Sequence, residues 1–125
     1  MQKKAHFGPA KPIGPYSPAI EINNFLFLSG QIPLKEDGSL PSEEVGAQTE
    51  LVMENIKNLL EQSGLSLAQV VKTTIYLTDI KDFSLVNSIY SRYFEEPFPA
   101  RTTVQVAALP RGAKIEIEVI AYKER

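Results

Sequence analysis

The sequence predicts an α+β domain, a mixed sheet of order β-β-α-β-α-β-β with two helices on one face. Three observations carry this. Runs rich in β-branched and aromatic residues at 20–28, 70–78, 100–106 and 114–121 read as strands. The stretches from Ser42 to Gly64 and from Asp79 to Pro97 set apolar residues at helical spacing. A chain of 125 residues, 43% apolar and 22% charged, builds one core, so residues 1–125 form a single domain.

Residues 1–18 are rich in Pro, Gly and Lys and read as an extended lead-in. Ile20-Glu21-Ile22 and Phe25-Leu26-Phe27-Leu28 flank Asn23-Asn24, a two-residue connection tolerant of positive φ, which predicts a hairpin. Gly30 directly after Ser29 marks a bend or a close backbone approach. Pro33, Gly38 and Pro41 make 33–41 a loop.

Ser42 is placed to cap a helix whose first turn holds Glu43 and Glu44, the acidic end that the macrodipole favours. Val45, Val52, Ile56, Leu59 and Leu60 form its apolar stripe, and Gly64 closes it at C′. Val70 to Thr78 reads as a strand. Asp79 and Asp82 suit the cap of a second helix, with Phe83, Val86, Tyr90, Tyr93 and Phe94 on its buried face and Pro97 as its stop. Two strands follow, 100–106 and 114–121, joined by a loop with Pro110 and Gly112. No repeat, low-complexity segment or linker interrupts the pattern. Two helices cover one sheet face, and the apolar residues of the other face call for a partner subunit. A homo-oligomer with sites between chains is the expectation.

Composition excludes several functions. A net charge of −2 and a pI near 5.4 argue against a nucleic-acid partner, which asks for a basic stripe. With no cysteine there is no disulfide, thiolate nucleophile or sulfur metal site, a composition that fits a reducing cytoplasm. His6, the only histidine, lies in a polar terminal segment and reads as solvated rather than as part of a triad or zinc site. No apolar run approaches the roughly 18 residues of a membrane span, and the N-terminus lacks a signal-peptide core. A cytoplasmic location without membrane contact is expected. Phosphate loops and metal-ligand spacings are absent, so no metal or cofactor is expected.

Arg101 is the leading candidate for chemistry. Pro97 and Pro99 deliver the chain stiffly into its strand, and alternation puts Arg101, Thr103 and Gln105 on one face, with Thr102, Val104 and Val106 on the other. A planar fork of donors on a rigid element suits bidentate capture of a carboxylate or phosphate. Glu116 and Glu118 share one face of the last strand. If the last two strands pair as an antiparallel hairpin, one register sets Thr103 opposite Glu116 and Arg101 opposite Glu118. The pattern then admits two readings: an anion clamp beside a water-orienting glutamate, or a cross-strand ion pair on a wet face.

Asn87, at the edge of the second helix's stripe, is placed either to orient a ligand or to stitch the helix to a loop. Tyr16 reads as a pocket wall with a hydroxyl handle or as a packed surface tyrosine. Ser29-Gly30-Gln31 offers a hydroxyl and backbone groups to a ligand. With no histidine or thiol nearby, Ser29 is a poor nucleophile and a structural hydroxyl is the better reading. Arg111 and Lys114 flank a loop and read as solvated.

Five segments together resemble the reactive intermediate deaminase family (RidA, YjgF-like). They are Ile13-Gly14-Pro15-Tyr16-Ser17-Pro18, Leu28-Ser29-Gly30-Gln31-Ile32-Pro33, Val71-Lys72-Thr73-Thr74, Pro99-Ala100-Arg101-Thr102-Thr103-Val104 and Lys114-Ile115-Glu116-Ile117-Glu118-Val119-Ile120-Ala121. They run in order, with similar spacing, over residues 9–122. The resemblance implies a chorismate-mutase-like fold, a homotrimer with ligand clefts between subunits, and no cofactor or metal. It implies hydrolysis of 2-imino acids and their enamine tautomers, such as 2-iminobutanoate and 2-iminopropanoate released by pyridoxal-phosphate enzymes, to 2-keto acids and ammonia. Carried over by motif, Arg101 holds the substrate carboxylate and Glu116 positions the attacking water. Tyr16, Ser29, Gly30 and Asn87 line the cleft, and Thr103 stands near the carboxylate site. Many relatives have cysteine where this chain has Thr103, which puts thiol-based regulation out of reach here. Relatives without the arginine are not expected to be active deaminases; this chain retains it. Whether Glu116 or Glu118 faces the ligand is left open. The alternatives are a non-enzymatic module that binds 2-keto acids, or a ribonuclease and translation inhibitor, which the acidic balance and lack of a usable general-acid histidine disfavour.

Overall fold

Asn23 and Asn24 both take positive φ, 48° and 70°, and so close the tight hairpin that their sequence predicts. It joins β2 (Ala19–Ile22) to β3 (Phe25–Gln31). The structure, a computed structural model, describes residues 2–7, 12 and 14–124; residues 1, 8–11 and 13 of the expected lead-in lie outside the described residues. Part of that lead-in is a strand, β1 (Lys4–His6), antiparallel to β2. On it His6 Nε2 lies 2.9 Å from Glu21 Oε1, so the histidine expected to be solvated has a partner.

The remaining elements are α1 (Val45–Gln62), β4 (Val70–Leu77), α2 (Phe83–Ser91), β5 (Ala100–Gln105) and β6 (Ile115–Tyr122). The sheet runs β1-β2-β3-β6-β4-β5, and only β4 and β5 are parallel. That parallel step requires the crossover that α2 supplies. The α+β class, with both helices on one sheet face, is the one predicted.

The strand pairing differs from expectation at one place that matters. β5 and β6 do not form a hairpin: β6 lies between β3 and β4, and β5 holds the sheet edge beside β4. Arg101 is therefore level with Thr73, and Thr103 with Ile75, with neither opposite a glutamate. Burial explains the order. Ile115, Ile117, Val119 and Ala121 are all buried and need neighbours on both sides, whereas β5 is largely exposed and suits an edge.

Helix α1 starts at Val45, later than predicted, with no acidic residue in its first turn. The Ser42 hydroxyl accepts from the Glu44 amide at 3.1 Å, and the helix entry is held by Gln48 instead. Gln48, 1% exposed, donates to the Ser42 carbonyl and accepts from the Lys114 amide, both at 2.8 Å. Gly64, at φ 82°, ends α1 as predicted. Asp79 caps a 3-10 turn over Ile80–Asp82 rather than α2 itself, accepting from the Lys81 amide at 2.9 Å. Helix α2 stops at Ser91, before Pro97. Arg111, expected in solvent, takes φ 59° and donates to the Gly38 carbonyl at 3.2 Å.

The core lies between helices and sheet, where Val52, Met53, Ile56, Leu60, Val86 and Tyr90 meet Leu26, Leu28, Ile75, Leu77, Ile115 and Ile117. Each such apolar side chain contributes about 1.5–3 kcal/mol on burial. The opposite face carries Phe25, Phe27, Val104 and Tyr122, all exposed. Phe25 packs edge-on against Tyr122 with centroids 5.1 Å apart. The second apolar face predicted from the strand patterns is present.

Candidate active site

Strand β5 carries Arg101 on its helix-side face, where α2 meets it. Phe83, Asn87 and Tyr90 stand at i, i+4 and i+7 on α2 and so form one stripe. Arg101 Nη1 donates to Asn87 Oδ1 at 2.6 Å. The guanidinium carbon lies 5.3 Å from the Phe83 ring centroid and 5.1 Å from that of Tyr90. Asn87 thus stitches α2 to β5, and it does so by orienting the arginine. The residue stays exposed, and no Asp or Glu lies within salt-bridge distance of it among the described residues. That overturns the cross-strand ion pair. A guanidinium with five N–H donors, one spent on Asn87, keeps a fork free for an anion.

The rest of the β5 face agrees with the alternation. Gln105 Oε1 accepts from the Ile80 amide at 2.8 Å, while Thr102 turns to the other face and accepts from Lys72 Nζ at 2.7 Å. Between Arg101 and Gln105, Thr103 Oγ1 is buried without a hydrogen-bond partner.

Glu116 lies on the opposite, helix-free face of β6, level with Tyr76 of β4. A register shift between Leu28 and Gln31 re-aims β3 there. A Cβ on Gly30 would come 2.8 Å from Glu116 Cδ, so the close approach predicted at Gly30 is to this carboxylate. Burial first, then the charge of Glu118, pushes the Glu116 carboxyl above the ordinary glutamate range. Glu118 is engaged differently, since Tyr76 donates its hydroxyl to it at 2.5 Å. That bond, ahead of burial, pushes the Tyr76 hydroxyl up to about 12.

Ser29 is hydrogen-bonded within the chain. Its hydroxyl donates to the Ser17 carbonyl at 2.6 Å and its amide to the Pro18 carbonyl at 2.8 Å. These bonds fasten the segment bearing Tyr16, a residue 52% exposed.

One chain therefore presents two candidate clusters on opposite faces of one sheet: Arg101 with Asn87 and Thr103, and Glu116 with Gly30 beside the Ser29-anchored segment of Tyr16. Sequence reasoning assigned Phe83 and Tyr90 to the core alone. Sequence spacing places Asn87 at the edge of their stripe, but the sequence carries no sign that Arg101 of β5 lies over it. Tyr76 went unremarked, because only the β4–β6 pairing puts it among the glutamates. Among the described residues no cluster of three or more His, Cys, Asp or Glu side chains is arranged to hold a metal ion, and no helix is long and apolar enough to cross a membrane.

This fold, with an arginine on the parallel edge strand and a glutamate seated on a glycine, has known counterparts. Residues 8–123 match the family model described as Endoribonuclease L-PSP, and the chain belongs to that family, the YjgF-like or Rid proteins. Reactive Intermediate Deaminase A, chloroplastic, of Arabidopsis thaliana is 56% identical over 110 residues, covering 87% of this chain and 59% of that protein. A RutC family protein of Pyrococcus abyssi is 52% identical over 115 residues, 91% of each chain. The crystal structure of Escherichia coli TdcF with bound serine matches with a TM-score of 0.90 at 36% identity, covering 97% of this chain and 99% of that one. The family thus includes a reactive intermediate deaminase, in line with the resemblance of the sequence motifs.

Proposed function

We propose that this protein hydrolyses 2-imino acids and their enamine tautomers, such as 2-iminobutanoate and 2-iminopropanoate, to 2-keto acids and ammonia. The observation that carries the reading is Arg101, an exposed guanidinium oriented by Asn87 with a donor fork free and no acidic side chain among the described residues paired to it. It suits an α-carboxylate, a group shared by the serine named with the E. coli relative.

Arg101 and Glu116 occupy opposite faces, so a ligand touching both needs two copies of the chain. The aromatic face of Phe25, Phe27 and Tyr122 is the surface through which copies would associate. We take the assembly to be a homotrimer with clefts between subunits, lined by Tyr16, Ser29, Gly30, Asn87 and Thr103. A chain without cysteine fits the reducing cytoplasm, where such imines arise.

The chemistry asks little of the protein. A protonated imine is already electrophilic and needs neither a covalent nucleophile nor a cofactor. Arg101 fixes the carboxylate, and Glu116 accepts a proton from water as its oxygen bonds to the imine carbon. The carbinolamine takes that proton on nitrogen, the C–N bond breaks as the hydroxyl returns its proton to Glu116 and the carbonyl forms, and the released ammonia carries a proton away from the carboxyl as ammonium. A carboxyl raised by burial is a stronger base than a solvated one, which favours the proton-accepting step.

An endoribonuclease activity, named in the family's description, has less support here. His6 stands on β1, at the sheet edge opposite to the β5 edge that bears Arg101. The test is to add the protein to a threonine dehydratase reaction and follow 2-keto acid and ammonia release. Faster release with the wild type, lost in Arg101→Ala, is the expected result; no acceleration by the wild type would refute the reading.

A further inference from the structure

An arginine on an exposed edge strand ordinarily samples several rotamers, and fixing it costs entropy. Arg101 is fixed from below by Phe83 and Tyr90, with its guanidinium over both rings. The two rings are held differently. Phe83 is half-buried, whereas Tyr90 is 4% exposed and packs on Phe94 with centroids 4.7 Å apart. The Tyr90 hydroxyl and Thr73 Oγ1 lie 2.8 Å apart, in a buried hydrogen bond. Thr73 is also the residue level with Arg101 in the β4–β5 pairing. The contacts close a ring: Arg101 to Thr73 across the strands, Thr73 to the Tyr90 hydroxyl, and the Tyr90 ring back to the guanidinium.

We propose that Tyr90, anchored by Thr73, is a positioning residue that holds the Arg101 guanidinium against α2 so that its free N–H edge faces the substrate carboxylate. The inference rests on the proposed function for its ligand. Stacking on ring faces leaves in-plane N–H donors unspent, and the low-dielectric aromatic bed strengthens the attraction. Tyr90 acts through Arg101, so its loss should appear in carboxylate binding and not in the water-addition step.

The test compares Tyr90→Phe, Tyr90→Leu and Phe83→Leu with the wild type in two measurements. The first is steady-state imine hydrolysis together with titration of 2-oxobutanoate. Tyr90→Leu should raise KM and weaken 2-oxobutanoate binding about three- to tenfold, with kcat within about twofold. Tyr90→Phe, which keeps the ring, should recover most of the loss. The second uses the ligand-free protein, in which ring currents shift the Arg101 side-chain protons upfield. Those NMR signals should stay shifted in Tyr90→Phe and move part of the way toward free-arginine values in Tyr90→Leu, where the Phe83 ring remains. If Tyr90→Leu does not fold, Phe83→Leu should show a smaller move of the same kind, with KM raised about twofold or more. Unshifted Arg101 signals in the wild type, unchanged binding in the leucine variants, or a loss confined to kcat would each overturn the proposal. If the wild type neither turns over imine nor binds 2-oxobutanoate, the functional reading falls by itself, and the NMR comparison still decides whether Tyr90 positions Arg101.

Discussion

Glu116 covers Gly30 so closely that no side chain fits between them: the first carbon of any other residue at position 30 would fall 2.8 Å from the glutamate's Cδ. The glycine is thus required by the carboxylate of another strand. Gly30→Ala should displace that carboxylate and lower kcat on imine about 10- to 100-fold, the scale lost when a general base is misplaced. Affinity for a 2-keto acid should change much less, because Arg101 is untouched. Steady-state kinetics beside a binding titration separates the two.

The pH dependence follows from the raised carboxyl of Glu116. In the proposed reaction its ionised form is the water-orienting base, so activity should rise with pH along an acid limb centred above the ordinary glutamate value. Glu118→Gln removes the like charge that contributes to the shift, so the limb should move to lower pH. For stability the sign is opposite. A carboxyl whose pKa is raised by folding gives stability that is complete below its unfolded pKa and is lost as pH rises through its folded pKa. At neutral pH Glu116→Gln should therefore be inactive yet melt no lower than the wild type. A lower melting temperature would contradict this account.

Arg101→Ala and Glu116→Gln should each be inactive alone, and mixing them tests the composite cleft. If each cleft takes its arginine from one subunit and its glutamate from the next, equal random mixing into trimers leaves about a quarter of all clefts with both groups. Unfolding and refolding the two variants together should restore about that fraction of wild-type activity. A site contained in one chain would stay dead in the mixture.

Gln48 offers a prediction about stability alone. Gln48→Ala removes the bonds to the Ser42 carbonyl and the Lys114 amide together, at a cost of about 1–3 kcal/mol for two part-buried hydrogen bonds. Urea unfolding should show the loss, while kcat at low temperature stays near wild type.

Local features were legible in the sequence. Asn23-Asn24 announced its hairpin, the stripes of Val52, Ile56 and Leu60 or Val86 and Tyr90 announced their helices, and Gly64 announced a stop. What was not legible depends on distant partners. Ser42 looks like a cap, but its carbonyl is taken by Gln48, and the helix begins three residues later. Lys4–His6 is too short to declare itself a strand without β2 beside it. The identities of Arg101, Asn87, Gly30 and Glu116 could be read from motifs. Their arrangement could not, because the face a strand residue occupies is settled by its pairing, and β4 intervenes between the two strands that looked like neighbours.

Under the proposed function, that intervening strand would make the protein's chemistry a property of its population. Groups set back to back across a sheet cannot be brought together by any side-chain rotation. A lone chain fresh from synthesis would be silent, and turnover would fall faster than protein concentration once dilution separates the copies. An enzyme built this way would report its own abundance.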